Sequence, residues 1–219
     1  MTTLGKVASV ATSVVTGFVL GDGGHTRAAA LPPPMVSKAV CQPTFQTADG
    51  EFSAGTAFVM RVQAATGSAP SPAVLVTAHH VFGPDGGLPR QIAWKDLPAF
   101  VVSVRCEGLE DAAHVVSAAR PLSVADARPY SAAGTPRDVA LFRLPAQDSQ
   151  APVLSDGGVA LRSAVWLIAR VAGGEPTTKL LHEARVATFG AQWLEFDYQN
   201  PRLDLTATSG APIVDERGR

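Results

Sequence analysis

The chain has 219 residues, of which 46% are hydrophobic and 17% charged, with a formal net charge of −1. That length holds one large β domain or two small ones with a substantial core. A balance so close to neutral leaves no basic footprint for nucleic acid and no acidic tail. The 20 Gly and 17 Pro fall largely between short apolar runs, which favours an all-β chain over a helical one. Two cysteines, Cys41 and Cys106, are too few for a disulfide-dense scaffold and show no CxxC spacing for a metal. They read either as one bridge or as two buried thiols.

Residues 1–35 form a leader with two open readings. Lys6 precedes a mostly apolar segment, residues 7–20, and Ala28-Ala29-Ala30 follows before Leu31-Pro32-Pro33-Pro34. Charge, apolar run and small residues resemble an export signal, so that the protein is periplasmic or secreted. Asp22, His25 and Arg27 interrupt that pattern and fit a loosely packed leader on a cytoplasmic protein. The apolar segment is shorter than the ~20 residues a membrane-spanning helix needs, so no stable span is expected. The prolines separate the leader from the rest of the chain.

From residue 36 onward the pattern is strand after strand. Residues 39–46, 51–62 and 73–82 make a first group, with Asp49-Gly50 as a hairpin-type turn. Strands over 91–94 and 99–106, a polar-broken stretch containing 114–119, and a strand over 138–144 follow. Residues 145–158 are the best linker, and strands over 159–171, 179–190, 192–198 and 212–215 lie beyond it. Leu194, Phe196 and Tyr198 alternate with Trp193, Glu195 and Asp197, the pattern of a strand with one buried and one wet face. Trp193 and Tyr198 read as core or rim. No segment carries a sustained helical period, and there is no repeat of fixed length.

Three short motifs carry the chemistry. An apolar run, residues 73–76, delivers Thr77-Ala78-His79-His80, so an imidazole stands at the end of a buried strand with solvent in front of it. Paired histidines also bring a metal to mind, but no His-x-Glu, His-x3-His or clustered Cys accompanies them. Arg137-Asp138-Val139-Ala140-Leu141-Phe142 places a carboxylate at the mouth of an apolar run, where it needs a hydrogen-bonding partner. Taken alone, Asp138 fits a simple pair with Arg137. Thr208-Ser209-Gly210-Ala211-Pro212 sets a serine in a Gly/Pro-flanked turn, which alone is a common turn.

Joined in the order His, Asp, Ser, these motifs resemble the trypsin-like (chymotrypsin-fold) serine proteases, over roughly residue 36 to the C-terminus. Thr77-Ala78-His79-His80 is similar to the family's Thr-Ala-Ala-His, with His79 in the place of a small residue. Asp138-Val139-Ala140-Leu141-Phe142-Arg143-Leu144 is similar to Asp-Ile-Ala-Leu-Leu-x-Leu, and the serine turn to Gly-Asp-Ser-Gly-Gly-Pro-Val. The resemblance implies two six-stranded antiparallel β-barrels. Residues 36–145 would form the first, with His80 and Asp138, and residues 146–219 the second, with Ser209. It implies a serine endopeptidase acting on polypeptide through an acyl-enzyme. Ser209 would be the nucleophile, His80 the base, Asp138 its orienter, and the N–H groups of Ser209 and Ala207 the oxyanion hole. No metal or organic cofactor is required. Leu203 and Asp204 stand near the family's primary pocket, the first favouring an apolar side chain and the second a basic one.

The chain departs from the family pattern in three places. Ala207 stands where the family usually has Gly, which puts the oxyanion hole in question. Thr208 replaces the carboxylate that trypsin pairs with its newly cut N-terminus, so the likeness is to bacterial and viral branches. Finally, the family's strand pair after the serine turn does not follow, so the second barrel is expected to be incomplete, with residues 215–219 as a polar turn. A different class therefore stands beside the enzyme: a protease-like fold kept for binding and catalytically silent. An esterase of another fold fits less well, because the chain lacks a Gly-x-Ser-x-Gly elbow and the Ser–Asp–His order.

Overall fold

The computed structural model describes residues 38–62, 72–129, 137–145, 153–154, 160–176, 178–190 and 194–218. The leader and Trp193 lie outside these, as does most of the expected linker. Among the described residues no helix is long and apolar enough to cross a membrane.

The first sheet is built from β1 (Val40–Thr47), β2 (Gly50–Ser53), β3 (Ala57–Val62), β4 (Val74–Thr77), β5 (Val101–Gly108), β6 (Val115–Ala118), β7 (Pro121–Leu122) and β8 (Ala140–Arg143). A short strand, β9 (Val153–Leu154), adds to β3 in parallel. Strands are hydrogen-bonded in the order β6-β5-β1-β3-β4-β8-β7, and β2 pairs with β1 as a hairpin. β6 and β7 stand at opposite ends of that path, yet only two residues separate them in the chain. Ala119 N–H, between them, donates to Arg143 O of β8 at 3.0 Å. The two are halves of one bent strand, so the sheet curls until its ends meet, and the path is that of a six-stranded barrel.

Alternation along the strands explains the filling. β1 buries Phe45, β4 buries Leu75 and β8 buries Phe142, all fully. Phe82 joins them from a loop, its ring 4.7 Å from that of Phe45. Pro43 is tolerated inside β1 because it sits where one flank passes from β3, paired at Val40 and Cys41, to β2, paired from Thr44 onward.

The sequence leaves Cys41 and Cys106 open as bridge or thiols. They are a buried disulfide between β1 and β5, closing a sequence separation of 65 residues. A loop of that length contributes about 4 kcal/mol through the entropy of the unfolded chain. Guanidine unfolding of a Cys41→Ala/Cys106→Ala variant is expected to show a loss of that order against the oxidised parent. An unchanged midpoint would mean that the bridge is not stabilising.

The second sheet has the order β12-β11-β10-β13, from β10 (Ala164–Ile168), β11 (Leu181–Phe189), β12 (Leu194–Tyr198) and β13 (Ile213–Val214). Leu194, Phe196 and Tyr198 of β12 are half-buried while Glu195 and Asp197 are exposed, as the alternation predicts. This four-stranded sheet is an incomplete barrel. It meets the first along an apolar seam, where Trp166, Ile168 and Val214 pack with Val40 and Leu109. Arg170 Nη2 adds a hydrogen bond to Leu109 O at 2.7 Å.

Several expected strands are shorter or interrupted. Residues 51–62 break into β2 and β3 at Ala54-Gly55-Thr56, where another segment docks. Residues 91–94 form no strand, and residues 97–100 form a single helical turn, α1 (Leu97–Phe100), with Pro98 in its first turn. In both places contacts distant in sequence override the local pattern.

Candidate active site

The site begins at the end of β4. After Thr77 and Ala78 the chain folds into a 3₁₀ turn, His79–Phe82, and Phe82 drives into the aromatic core of the first barrel. That burial anchors the turn that carries both histidines. β4 pairs with β8 in antiparallel register, Thr77 opposite Ala140. Two residues further along that register Asp138 arrives beside the histidines, which is how residues 58 apart in sequence come together.

Asp138 selects His80. Its Oδ2 lies 2.6 Å from His80 Nδ1, and its Oδ1 accepts the His80 backbone N–H at 2.9 Å. Both carboxylate oxygens are thus engaged by one residue, the geometry that fixes imidazole orientation and tautomer together. The Asp138 side chain is 1% exposed and that of His80 15%, so the carboxylate is sealed while the imidazole still meets solvent. Burial alone would lower the His80 pKa. The hydrogen bond and charge of Asp138, with a smaller contribution from Asp85, outweigh it and hold the pKa above the ordinary imidazole value. His79 differs: it is fully buried, and desolvation holds its pKa below the ordinary value despite the nearby Asp138. Among the described residues no group of three or more His, Cys, Asp or Glu is placed to hold a metal ion.

Ser209 enters from the second sheet, in the turn ahead of β13. Ala211 N–H donates to Thr208 O at 2.9 Å, closing a turn with Gly210 at φ +84°. A Cβ at Gly210 would lie 2.4 Å from both Thr56 O and Thr77 Oγ1 and 2.7 Å from Ala78 N. Gly210 therefore lets the serine turn rest directly on the backbone leading to the histidines. No hydrogen bond joins Ser209 to His80 among the described residues, and such contacts commonly tighten only when substrate binds.

Thr56, which the sequence motifs do not single out, ties these parts together. Its N–H donates to Ser209 O at 2.8 Å and its Oγ1 to Ala207 O at 3.1 Å, while its own carbonyl accepts from Thr77 Oγ1 at 2.8 Å. One buried residue of the first barrel thus holds the serine loop at two carbonyls. The available signal is the interruption of the apolar run by Ala54-Gly55-Thr56.

Thr208, in the place of trypsin's carboxylate, is buried and donates through Oγ1 to Leu205 O at 2.8 Å. Ala207 adopts φ +69° in the turn closed by Thr208 N–H to Leu205 O at 3.1 Å. A Cβ in this left-handed conformation costs roughly 1–2 kcal/mol, partly offset by the lower chain entropy of alanine. Ala207→Gly is expected to stabilise the fold by about 0.5–1 kcal/mol in denaturant titration. Destabilisation would contradict the left-handed assignment. Leu203 is half-buried. Asp204 pairs its backbone with Gly173, and its Oδ1 accepts from Thr206 N–H at 3.0 Å and Thr206 Oγ1 at 2.7 Å.

A barrel bearing a buried Asp–His pair, with a Gly-flanked serine turn docked on it from a second β-sheet, defines the chymotrypsin-fold class of serine hydrolases. Residues 55–219 match the family model for a trypsin-like peptidase domain, and the chain belongs to that family. It is a trypsin-like serine endopeptidase domain, a hydrolase whose substrate is polypeptide. Similar solved structures include an inactive form of Rv3671c from M. tuberculosis H37Rv, at 18% identity over 85% of this chain and 78% of that one, with a TM-score of 0.46. The thermostable serine protease AL20 from an extremophilic microorganism is 16% identical over 83% and 80%, with a TM-score of 0.48. A human pathogenic astrovirus serine protease is 20% identical over 84% and 79%, with a TM-score of 0.41. No curated protein sequence matches the chain.

Proposed function

We propose that this domain cleaves peptide bonds through a Ser209–His80–Asp138 triad and an acyl-enzyme. The two-point hold of Asp138 on His80 is the observation that carries the reading. Ser209 Oγ attacks the scissile carbonyl as His80 Nε2 takes its proton. The imidazolium then gives that proton to the leaving amine, and water releases the acyl group by the reverse sequence. Asp138 keeps the Nδ1 proton in place throughout and stabilises the transient cation.

The N–H groups of Ser209 and Ala207 are the donors for the developing oxyanion. Among the described residues neither donates to a carbonyl, which leaves both available. Leu203 is the better floor for the primary pocket, since Thr206 already draws Oδ1 of the Asp204 carboxylate into its own turn with two hydrogen bonds. An apolar side chain is therefore the preferred residue on the acyl side of the cut.

Labelling with a fluorophosphonate, which captures only an activated serine, tests this reading. Adduct mapped to Ser209 supports it. A folded protein that stays unlabelled would favour a catalytically silent binding module, for which the alanine at position 207 is the motivating feature.

A further inference from the structure

We propose that Gln91 is a positioning residue for His80, holding the back of the turn that carries it; this rests on the reading of His80 as the base. A 3₁₀ turn of four residues leaves most of its carbonyls without internal partners, and this one has no side-chain cap at its start. The Gln91 carboxamide fills that need. Its Nε2 lies 3.2 Å from Phe82 O, 3.3 Å from His79 O and 3.4 Å from Ile92 O, sharing its two N–H groups among them. It also approaches His79 Nδ1 at 3.4 Å. Only a donor is favourable among three carbonyl oxygens, so the amide's orientation follows from its surroundings.

The loop after the turn is shaped to deliver this side chain. Gly86 and Leu88 N–H both donate to Gly83 O, and Ile92 N–H donates to Phe82 O at 2.8 Å. The chain therefore leaves at Gly83 and returns to the turn at Gln91. Gly83 has extended backbone, φ −151°, that any residue adopts. Its constraint is space: a Cβ there would lie 2.1 Å from Gln91 Oε1 and 2.8 Å from its Cδ. Gly83 and Gln91 form one device, the first leaving the room that the second fills.

His80 is consequently held from two sides. Asp138 fixes its ring and its N–H from the front, and Gln91 fixes the carbonyls before and after it from behind. Releasing the rear hold leaves the triad chemically complete with its base free to tilt. Displacement of a reacting group by about 1 Å lowers rates by about 10²-fold.

The experiment compares the unsubstituted protein with Gln91→Met, which keeps length and removes the donors, with Gly83→Ala, which evicts the carboxamide, and with the double variant. The low-field NMR resonance of His80 Nδ1–H and the His80 titration are recorded beside kcat and KM on a peptide ester. Expected are a broadened or lost resonance, a lowered His80 pKa, and a kcat reduced about tenfold or more with KM little changed. The double variant should be no worse than the stronger single one, because both remove the same contact. Folded variants with an unaltered resonance, pKa and kcat would overturn the proposal, as would a lowered melting temperature alone or additive effects. If Gln91→Met does not fold, Gly83→Ala carries the test. Failure of the His80 reading shows separately, as an unsubstituted protein that does not label at Ser209. The NMR measurement then still decides whether Gln91 holds the His80–Asp138 pair.

Discussion

Ser209→Ala is expected to abolish fluorophosphonate labelling and to lower kcat for peptide hydrolysis by about 10⁶-fold, with the fold intact. The size of the effect follows from the shared task of the triad. Without Oγ there is no acyl-enzyme, and only the oxyanion donors and substrate binding remain to assist water. Structural damage should be slight. The contacts that place the loop run through the Ser209 carbonyl to Thr56 N–H and through the glycine beside it, and neither involves Oγ. Circular dichroism and a denaturation midpoint close to the parent's would separate lost chemistry from lost structure. Residual activity within about tenfold of the parent would exclude Ser209 as the nucleophile.

Asp138→Asn is expected to cut kcat by about 10⁴-fold while leaving the backbone in place. The amide can still accept from the His80 N–H, but it cannot hold the Nδ1 proton as a carboxylate does, and the wrong tautomer is admitted. The pH profile provides a second check. In the parent, activity is expected to rise as His80 loses its proton, with a midpoint that Asp138 holds above the ordinary imidazole pKa. With the carboxylate removed, desolvation is left to act, so the acid limb should move to lower pH while its plateau falls. An unmoved limb would mean that Asp138 does not control His80.

Stability runs opposite to activity in this pair. A histidine whose folded pKa is raised contributes stability that is complete below its unfolded pKa, near 6.5, and lost as pH climbs through the folded value. His79 has the opposite sign. Its folded pKa is lowered, so its contribution is complete above about 6.5 and lost as the pH falls through the folded value. The two contributions fall in different pH windows, so together they favour a stability maximum at about pH 6.5 that declines on either side, whereas the expected activity profile follows His80 alone.

The class of fold and the three motifs from which the proposed triad is drawn were legible in the amino-acid order because each is tied to a local pattern. Apolar runs of strand length end at Thr77-Ala78 and begin after Asp138, and Gly210 with Pro212 marks a turn ahead of a strand. The alternation over residues 194–198 likewise reads directly, since a strand with one wet face has a period of two wherever it lies. Contacts between distant segments are not written this way. The strand reading over residues 91–94 fails because the backbone there is engaged elsewhere: Ile92 N–H donates to Phe82 O, and Ala93 O accepts from Asp96 and Leu97 N–H in the turn that opens α1. The run over 51–62 breaks because Thr56 is needed at the Ser209 loop. His79 and His80 are equivalent in the local strand pattern; the register of β4 on β8 brings Asp138 beside them both, and the 3₁₀ turn at His79–Phe82 presents His80 to it. Local periodicity thus determined the strands and the motifs. Tertiary packing alone decided the pairings, because a hydrogen bond depends on distances of a few tenths of an ångström, set by barrel closure rather than by neighbours in the chain.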